Sequence, residues 1–324
     1  MASANSSFSE VVTTTLKNRR RRLADNVLNH NALLRMLNER GMVDTADGGE
    51  TLVEELEFAE NATFKYYSGY EILDISPSDV FSAAEFNWKQ AAVVVTIDGL
   101  TQRKNSGRER MIRLLESRIR NAEKSMMNNI STGVYSDGTG TSGKQIGGLQ
   151  QLVADAPTTG TVGGINRANF SFWQNNVFDA SSDGGSAASS GVIQGYMNSL
   201  WLEVLRGSDK PNIIVADSVY YSAYWESLQN IQRITEVESA GSGFRSTTFY
   251  GPGGSAPVFY DDQCPASHLY MLNTDYLHWR PHRDANMEPL MARESLNQDA
   301  IVRPIIFMGN LTASNCARQG VLKA

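Results

Sequence analysis

The longest periodic pattern of apolar residues in the sequence lies between residues 101 and 130. Apolar side chains recur there every three or four positions, at Ile112, Leu115, Ile119, Ala122, Met126 and Ile130. That spacing places them on one face of an α-helix, with charged residues on the other face. Ser106 and Glu109 form a capping box, so we expect the helix to begin near Ser106. Gly133 is expected to end it.

A shorter helical pattern comes earlier in the chain. Leu23, Val27, His30, Leu34 and Leu37 share one face, and Gly41 ends the pattern. It follows a run of four arginines, namely Arg19, Arg20, Arg21 and Arg22. These arginines could bind nucleic-acid phosphates, or form an exposed helix end that pairs with acidic residues of a neighbouring chain. We favour the second interpretation, because a run of like charge is usually a solvated surface.

Between these two helices the pattern changes to that of β-strands. Two runs rich in aromatic and β-branched residues, 64–73 and 86–97, are separated by a short segment that contains Pro77. They predict a long hairpin. An extended hairpin can hardly bury large side chains within its own monomer. We therefore expect a set of its aromatic residues to contact a neighbouring subunit: Phe64, Tyr66, Tyr70, Phe86 and Trp88.

The second half of the chain mixes short helices and strands. Residues 192–205 have a helical period, and residues 212–216 form an apolar run typical of a buried strand. Asp217 and Ser218 can cap a further helix. Helix, strand and helix in close succession indicate an α/β layer, and strands dominate from Ala256 onward.

Composition excludes several classes of protein. With 324 residues, the chain is large enough for two compact domains or for one domain with extensions. Its net charge of −6 argues against a protein that mainly coats nucleic acid. Cys264 and Cys316 are the only cysteines, so no disulfide framework is expected, and both fit buried positions. The N-terminus lacks a signal-peptide pattern, and no apolar run could span a membrane. We expect a protein made in a reducing cytoplasm.

One segment matches the spacing of a nucleotide-binding loop. Gly138 to Lys144 fits G-x-x-x-x-G-K. However, a predicted helix precedes it instead of a strand, and Gln145 lacks the hydroxyl group that would bind magnesium. Residues 146–149, with two consecutive glycines, are a poor helix start. We therefore expect a loop there and no bound cofactor.

A metal site is a second hypothesis. His268, His278 and His282 lie near one another in the sequence, with Asp261, Asp262 and Asp284 close by. Their spacing matches no set of metal ligands on a helix, so we expect local hydrogen bonds and no metal. No catalytic constellation emerges, and we expect no enzyme. A nucleotide hydrolase or a metal hydrolase remains the alternative.

Six short stretches carry a resemblance to a known family. They are 68–71 (SGYE), 82–91 (SAAEFNWKQA), 121–124 (NAEK), 146–150 (IGGLQ), 214–217 (IVAD) and 272–276 (LNTDY). In this order and spacing, the chain from about Leu33 onward resembles one large group of tailed-bacteriophage major capsid proteins. The resemblance implies an α+β protein with the tailed-phage capsid fold, the Hong Kong ninety-seven type.

The resemblance also implies a division of the chain. Residues 1–49 would be the N-terminal arm and 50–98 an extended hairpin, the E-loop. Residues 99–149 and 286–315 would form the P-domain, whose spine is the long helix at 105–131. Residues 150–285 and 316–324 would form the A-domain.

The function implied is that of a shell subunit. Subunits would form pentamers and hexamers that close an icosahedral shell around double-stranded DNA, in the virion, after assembly in the host cytoplasm. A portal and possible decoration protein would be partners, and DNA would be held by weak non-specific contact. Too little chain precedes the arm for a built-in scaffolding segment, so we expect a separate scaffolding protein and no membrane contact. An encapsulin-like compartment, which packages protein, is the alternative.

Overall fold

The structure is a computed structural model that describes residues 31–76, 79–100, 108–229, 247–291, 293–294 and 298–324. The helices are α1 (Ala32–Glu39), α2 (Arg108–Val134, with side chains described from residue 117), α3 (Leu149–Leu152), α4 (Ile193–Val204) and α5 (Ser218–Gln229). A single four-residue turn, Gly140–Gly143, also has helical hydrogen bonds but contains two left-handed residues. Two short 3₁₀ helices span Ser171–Trp173 and Thr274–Tyr276. Within these ranges, no helix is long and apolar enough to cross a lipid bilayer.

Fifteen strands are present in the described ranges. They are β1 (Thr51–Glu57), β2 (Phe81–Asn87), β3 (Lys89–Asp98), β4 (Thr161–Val162), β5 (Ile165–Asn166), β6 (Asn176–Asp179), β7 (Ile213–Ala216), β8 (Thr247–Gly251), β9 (Gly254–Tyr260), β10 (His268–Leu272), β11 (Leu277–Pro281), β12 (Glu288–Pro289), β13 (Arg293–Glu294), β14 (Ala300–Ala313) and β15 (Gly320–Lys323). The mixture of helix and sheet confirms the α+β class.

A mixed six-stranded sheet with the order β6-β15-β10-β7-β9-β8 forms one half of the molecule. All four residues of β7 are buried, which explains why its sequence is a continuous apolar run. Successive side chains point to opposite faces. Ile214 and Ala216 belong to the core beneath α4 and α5, whereas Ile213 and Val215 belong to the core that includes α1. The predicted helix–strand–helix layer is confirmed.

Capping residues set the ends of two helices. The side chain of Asn31 accepts hydrogen bonds from the backbone amides of Leu33 and Leu34, so α1 begins there. It ends before Gly41, whose φ of +73° is left-handed, as predicted. The carboxylate of Asp217 accepts from the amide of Tyr220 at 2.9 Å and caps α5, also as predicted. The other helical positions predicted for the first helix, Leu23 to His30, lie outside the described residues.

A second sheet is built around β14. Ten residues of β3 pair with it in antiparallel register, from Asp98 opposite Ala300 to Lys89 opposite Gly309. Strands β11, β12 and β13 pair along β14 as well. Helix α2 packs on β3. This sheet and α2 therefore form one layered unit.

The long helix has the buried face that its periodicity predicts. Ile119, Ala122, Met126 and Ile130 are all buried. Gly133 does not end the helix, which continues to Val134. A side chain at Gly133 would lie 3.5 Å from Ile146, and the left-handed glycine comes later, at Gly138. The predicted start near Ser106 lies outside the described residues.

The hairpin differs from the one predicted. Strands β1 and β2 pair with each other, from Thr51 opposite Asn87 to Glu57 opposite Phe81. Residues 64–73 form no strand, and β3 pairs with β14 instead of with them. The prediction was wrong because aromatic content favours a strand only where a partner strand is available. Residues 58–80, which we call the hairpin tip, connect β1 and β2.

Candidate assembly interface

The base of the hairpin is fixed to its own subunit. The inward-facing residues Leu52 and Leu56 of β1 are buried, and so is Ala84 of β2. The amide of Glu85 donates to the carbonyl oxygen of Gly163 at 2.9 Å. Gly163 has a φ of +58°, and a Cβ atom there would lie 2.9 Å from the Cβ of Ala84. Glycine is needed at this position because the hairpin and the loop approach so closely.

A buried acidic residue strengthens this attachment. Glu54 points inward from β1 between Leu52 and Leu56. Arg280 of β11 and Thr312 of β14 both bind its carboxylate. The hairpin base is therefore joined to the second sheet by packing and by charge.

The five aromatic residues predicted to contact a neighbour separate into two groups. Phe64, Tyr66 and Tyr70 lie on the hairpin tip and are 75%, 92% and 106% exposed. Phe86 is 4% exposed and belongs to the core of its own subunit. Trp88 is half-buried, and its indole nitrogen donates to the carbonyl oxygen of Gly49 at 3.0 Å. The expectation that such a hairpin cannot bury Phe86 is wrong, because β2 packs on the loop at Gly163.

Sequence reasoning missed other apolar residues of this surface. Five more are exposed on or beside the tip, namely Tyr67, Ile72, Leu73, Ile75 and Phe81. Tyr67, Ile72 and Leu73 lie in the same aromatic-rich run, 64–73, and its missing alternation of polar and apolar positions could have revealed that no face of it is buried. Single exposed apolar residues are ordinary, but a contiguous set marks a contact surface.

The hairpin tip is also acidic. Its described residues include Glu60, Glu71, Asp74 and Asp79 and only one cation, Lys65. The Lys65 ammonium group donates to the carbonyl oxygen of Ile72. Hydrogen bonds from the hydroxyl and the amide of Ser76 lower the pKa of Asp74, so this carboxylate is ionised at neutral pH. The tip therefore presents aromatic rings together with negative charge.

The structure separates the other candidate residues. A helix, α2, precedes the segment that resembles a nucleotide-binding loop, and Thr141 and Ser142 there have left-handed φ values of 54° and 57°. The strand–loop–helix arrangement of such a site is absent from this described segment. Within the described ranges, no three potential metal ligands lie together. Arg19, Arg20, Arg21 and Arg22 lie outside the described residues.

The histidines and cysteines have local roles. His268 lies 3.1 Å from the carboxylate of Asp155, and His278 lies 3.4 Å from that of Asp44. His282 packs against the ring of Trp88. Cys264 and Cys316 are both buried, as predicted, and burial raises the pKa of Cys316 to about 11. Both thiols are therefore neutral and inert at physiological pH.

Comparison with known proteins gives a consistent result. The family model described as SU10 major capsid protein matches residues 90–302. No curated protein matches the chain in sequence.

Three solved structures share the fold at low sequence identity. The capsid asymmetric unit of cyanophage A-1(L) is 13% identical, with 87% of this chain and 90% of that chain covered and a TM-score of 0.57. The SrpI encapsulin complex of Synechococcus elongatus is 11% identical, with 88% and 86% covered and a TM-score of 0.55. The capsid of Myoviridae phage XM1 is 11% identical, with 89% and 91% covered and a TM-score of 0.53. The tailed-phage capsid fold expected from the resemblance is thereby confirmed.

Proposed function

Because the chain belongs to the SU10 major capsid protein family, we propose that its copies form pentamers and hexamers that close the icosahedral head shell of a tailed bacteriophage. The shell encloses double-stranded DNA, and the protein resides in the virion. We propose assembly in the host cytoplasm, with no enzymatic role. The protein is a structural subunit.

The observation that carries this proposal is the exposure of the hairpin tip. Phe64, Tyr66 and Tyr70 leave their rings in solvent in the single subunit. Such a surface binds another protein, and buried aromatic anchors commonly provide much of the energy of an interface. In a shell made of one chain, the neighbouring copy is the partner at hand.

We propose a domain division close to the one that the resemblance implies. The arm is 1–49, the P-domain is 89–149 with 277–315, since β3 and β11 both pair with β14, and the A-domain is 150–276 with 316–324. The E-loop of the proposal ends at residue 88 instead of 98, because β3 pairs with β14.

The partners are proposed at a finer level than the family gives. A portal, a separate scaffolding protein and a possible decoration protein complete the particle. Contact with the packaged DNA is weak and non-specific, which a subunit with a net charge of −6 favours. The arginine run at 19–22 is proposed to pair with a neighbouring subunit.

Electron microscopy of particles purified with this chain tests the proposal. We expect closed icosahedral shells of uniform diameter that protect DNA from nuclease. The likeness to the encapsulin shows a shared fold, so the same particles also test that alternative. Shells filled with protein cargo and free of DNA would show that the chain forms an encapsulin-like compartment instead of a phage head. The absence of shells, with and without a scaffolding partner, would overturn both.

A further inference from the structure

A cavity opens between the hairpin base and the domain that carries α4. Its volume is about 160 Å³, and its walls include Glu57, Phe58, Phe172, Arg206, Ser314 and Arg318. The rings of Phe58 and Phe172 stack at a centroid distance of 5.4 Å and form an aromatic wall. Cavities of this size can hold one benzene-sized group. We call this cavity the arginine pocket.

Two guanidinium groups of the pocket are available to an acidic ligand. Within the described residues, neither Arg206 nor Arg318 forms a salt bridge. Arg206 is exposed, and Arg318 donates one hydrogen bond to the carbonyl oxygen of Val204 at 3.4 Å. Glu57 is the acidic residue among the lining residues, so the pocket keeps a net positive charge. Arginine binds carboxylates by charge-assisted, often bidentate, hydrogen bonds.

The hairpin tip offers a matching group. Tyr70 is fully exposed, and Glu71 beside it is exposed as well. They follow a turn at Gly69, whose φ of +59° is left-handed. Among the acidic residues of the tip, Glu71 alone directly adjoins an aromatic residue. The carboxylate of Asp74 already accepts hydrogen bonds from Ser76.

We propose that the arginine pocket of one subunit receives Tyr70 and Glu71 from the hairpin tip of a second copy of the chain. The Tyr70 ring packs on Phe172, and the Glu71 carboxylate binds Arg206 and Arg318. This inference rests on the proposed shell function and names the contact that the hairpin tip makes.

The position of the pocket explains how such a contact builds a closed assembly. The pocket lies at the base of the hairpin, beside Glu57 and Phe58, whereas Tyr70 lies at the tip. A tip that binds the base of the next subunit makes a heterologous contact, in which two different surfaces meet. Repeated by rotation, such contacts close into rings, which is the symmetry of a pentamer or hexamer.

The first test reverses the charge of the pocket. The variant is Arg206→Glu with Arg318→Glu, and the control is Lys144→Glu with Arg293→Glu, two exposed cations outside the pocket that give the same change in net charge. Both variants should keep the wild-type circular dichroism spectrum. The pocket variant should need a protein concentration about tenfold higher to form shells, and the control should assemble like wild type. Adding Glu71→Arg to the pocket variant should restore much of the assembly.

The second test traps the contact covalently. Glu71→Cys combined with Ser314→Cys should give disulfide-linked multimers in assembled shells under oxidising conditions, since the native cysteines are buried. Each single variant should give none. The inference is overturned if wild-type shells form, the pocket variant assembles equally well and no cross-link appears. That combination of results leaves the shell function standing. Pocket-variant shells that form normally but lose DNA would assign the pocket to nucleic acid. Wild-type chains that never form shells would overturn both proposals.

Discussion

Glu54 and Arg280 form a salt bridge that joins the hairpin to the second sheet. The Nε atom of Arg280 lies 2.8 Å from Oε1 of Glu54, and its Nη2 atom lies 3.0 Å from Oε2. The hydroxyl group of Thr312 donates to the same carboxylate at 2.5 Å. Glu54 is only 5% exposed. It occupies an inward-facing position of β1, where an apolar residue is expected, and the salt bridge makes its burial possible.

Removing one partner of this pair should destabilise the subunit. Glu54→Ala leaves Arg280 without its carboxylate, and breaking a buried pair typically costs about 3–5 kcal/mol. Arg280 is partly exposed, so we expect a loss of about 2–3 kcal/mol in the free energy of unfolding, measured by urea titration. Glu55→Ala, on the exposed face of the same strand, should change it by less than about 0.5 kcal/mol. Equal values for the two variants would contradict the structural role of the pair.

The buried face of α2 gives a second prediction. Met126→Asp places an unpaired charge among apolar side chains and should cost about 3 kcal/mol or more, or prevent folding altogether. Asn128→Asp adds the same charge on the exposed side of the helix and should be nearly neutral. Thermal unfolding followed by circular dichroism compares the two. Cooperative wild-type unfolding of Met126→Asp would mean that the helix buries another face.

Deleting the hairpin tip should separate folding from assembly. The amide of Phe58 donates to the carbonyl oxygen of Val80, so residues 59–79 can be replaced by Asn-Gly without breaking the β1–β2 ladder. We expect a folded, soluble product that forms capsomers or monomers but no closed shells. Sedimentation velocity and circular dichroism measure the two properties. Aggregated protein would place the tip in the folding core, and normal shells would make it dispensable.

Neutralising the arginine run tests whether it binds a neighbouring subunit or the packaged DNA. Wild-type shells should form less readily as the salt concentration rises. With Arg19, Arg20, Arg21 and Arg22 all changed to Gln, shells should form poorly even at low salt and should respond less to added salt. This follows if the run pairs with acidic residues of a neighbouring subunit. Light scattering at several ionic strengths measures the effect. Variant shells that form as readily as wild-type shells but hold less DNA would instead identify the DNA as the partner.

The pair formed by His268 and Asp155 makes stability depend on pH. Burial lowers the pKa of His268, but the hydrogen bond to Asp155, the carbonyl oxygen of Ala266 and the charge of Asp217 outweigh it, so the net shift is upward. The hydrogen bond from His268 lowers the pKa of Asp155. Lys323 lies opposite His268 on the neighbouring strand, and its positive charge also lowers the pKa of Asp155.

A raised histidine pKa stabilises the folded state below about pH 6.5, and that stabilisation disappears as the pH rises through the folded-state pKa. The lowered pKa of Asp155 acts in the opposite direction, and its stabilisation disappears only in acid. The free energy of unfolding should therefore fall in the wild type as the pH rises above about 6.5 and through the raised folded-state pKa of His268. His268→Gln should flatten this decline, and Asp155→Asn should do the same. Urea titrations at three pH values decide, and an unchanged slope in both variants would contradict the coupling.

The features that the sequence predicted best are those that depend on the local periodicity of apolar residues. The face of α2 from Ile119 to Ile130 and the apolar run of β7 are visible in the order of residues alone. Strand β1 was harder to recognise, because Glu54 interrupts its apolar face. The residue that makes this burial possible, Arg280, lies far away in the sequence.

The candidate interface was predicted only in part, because some of its residues are buried by distant parts of the chain. The exposure of Phe64, Tyr66 and Tyr70 follows from a run with no buried face. The burial of Phe86 depends on Gly163, a contact between distant parts of the chain that no pattern near Phe86 records. The arginine pocket depends on four separate segments, so only the folded chain brings it together.

The position of β15 has a consequence for the order in which the subunit folds. This strand lies between β6 and β10 and pairs with both, although it is synthesised after them. Until residues 320–323 leave the ribosome, β6 has no partner in this sheet and β10 has an open edge. Closing such distant contacts is slow compared with forming local ones. We therefore expect a subunit to become competent for assembly only after its synthesis has passed this strand, which keeps partly made chains out of a growing shell.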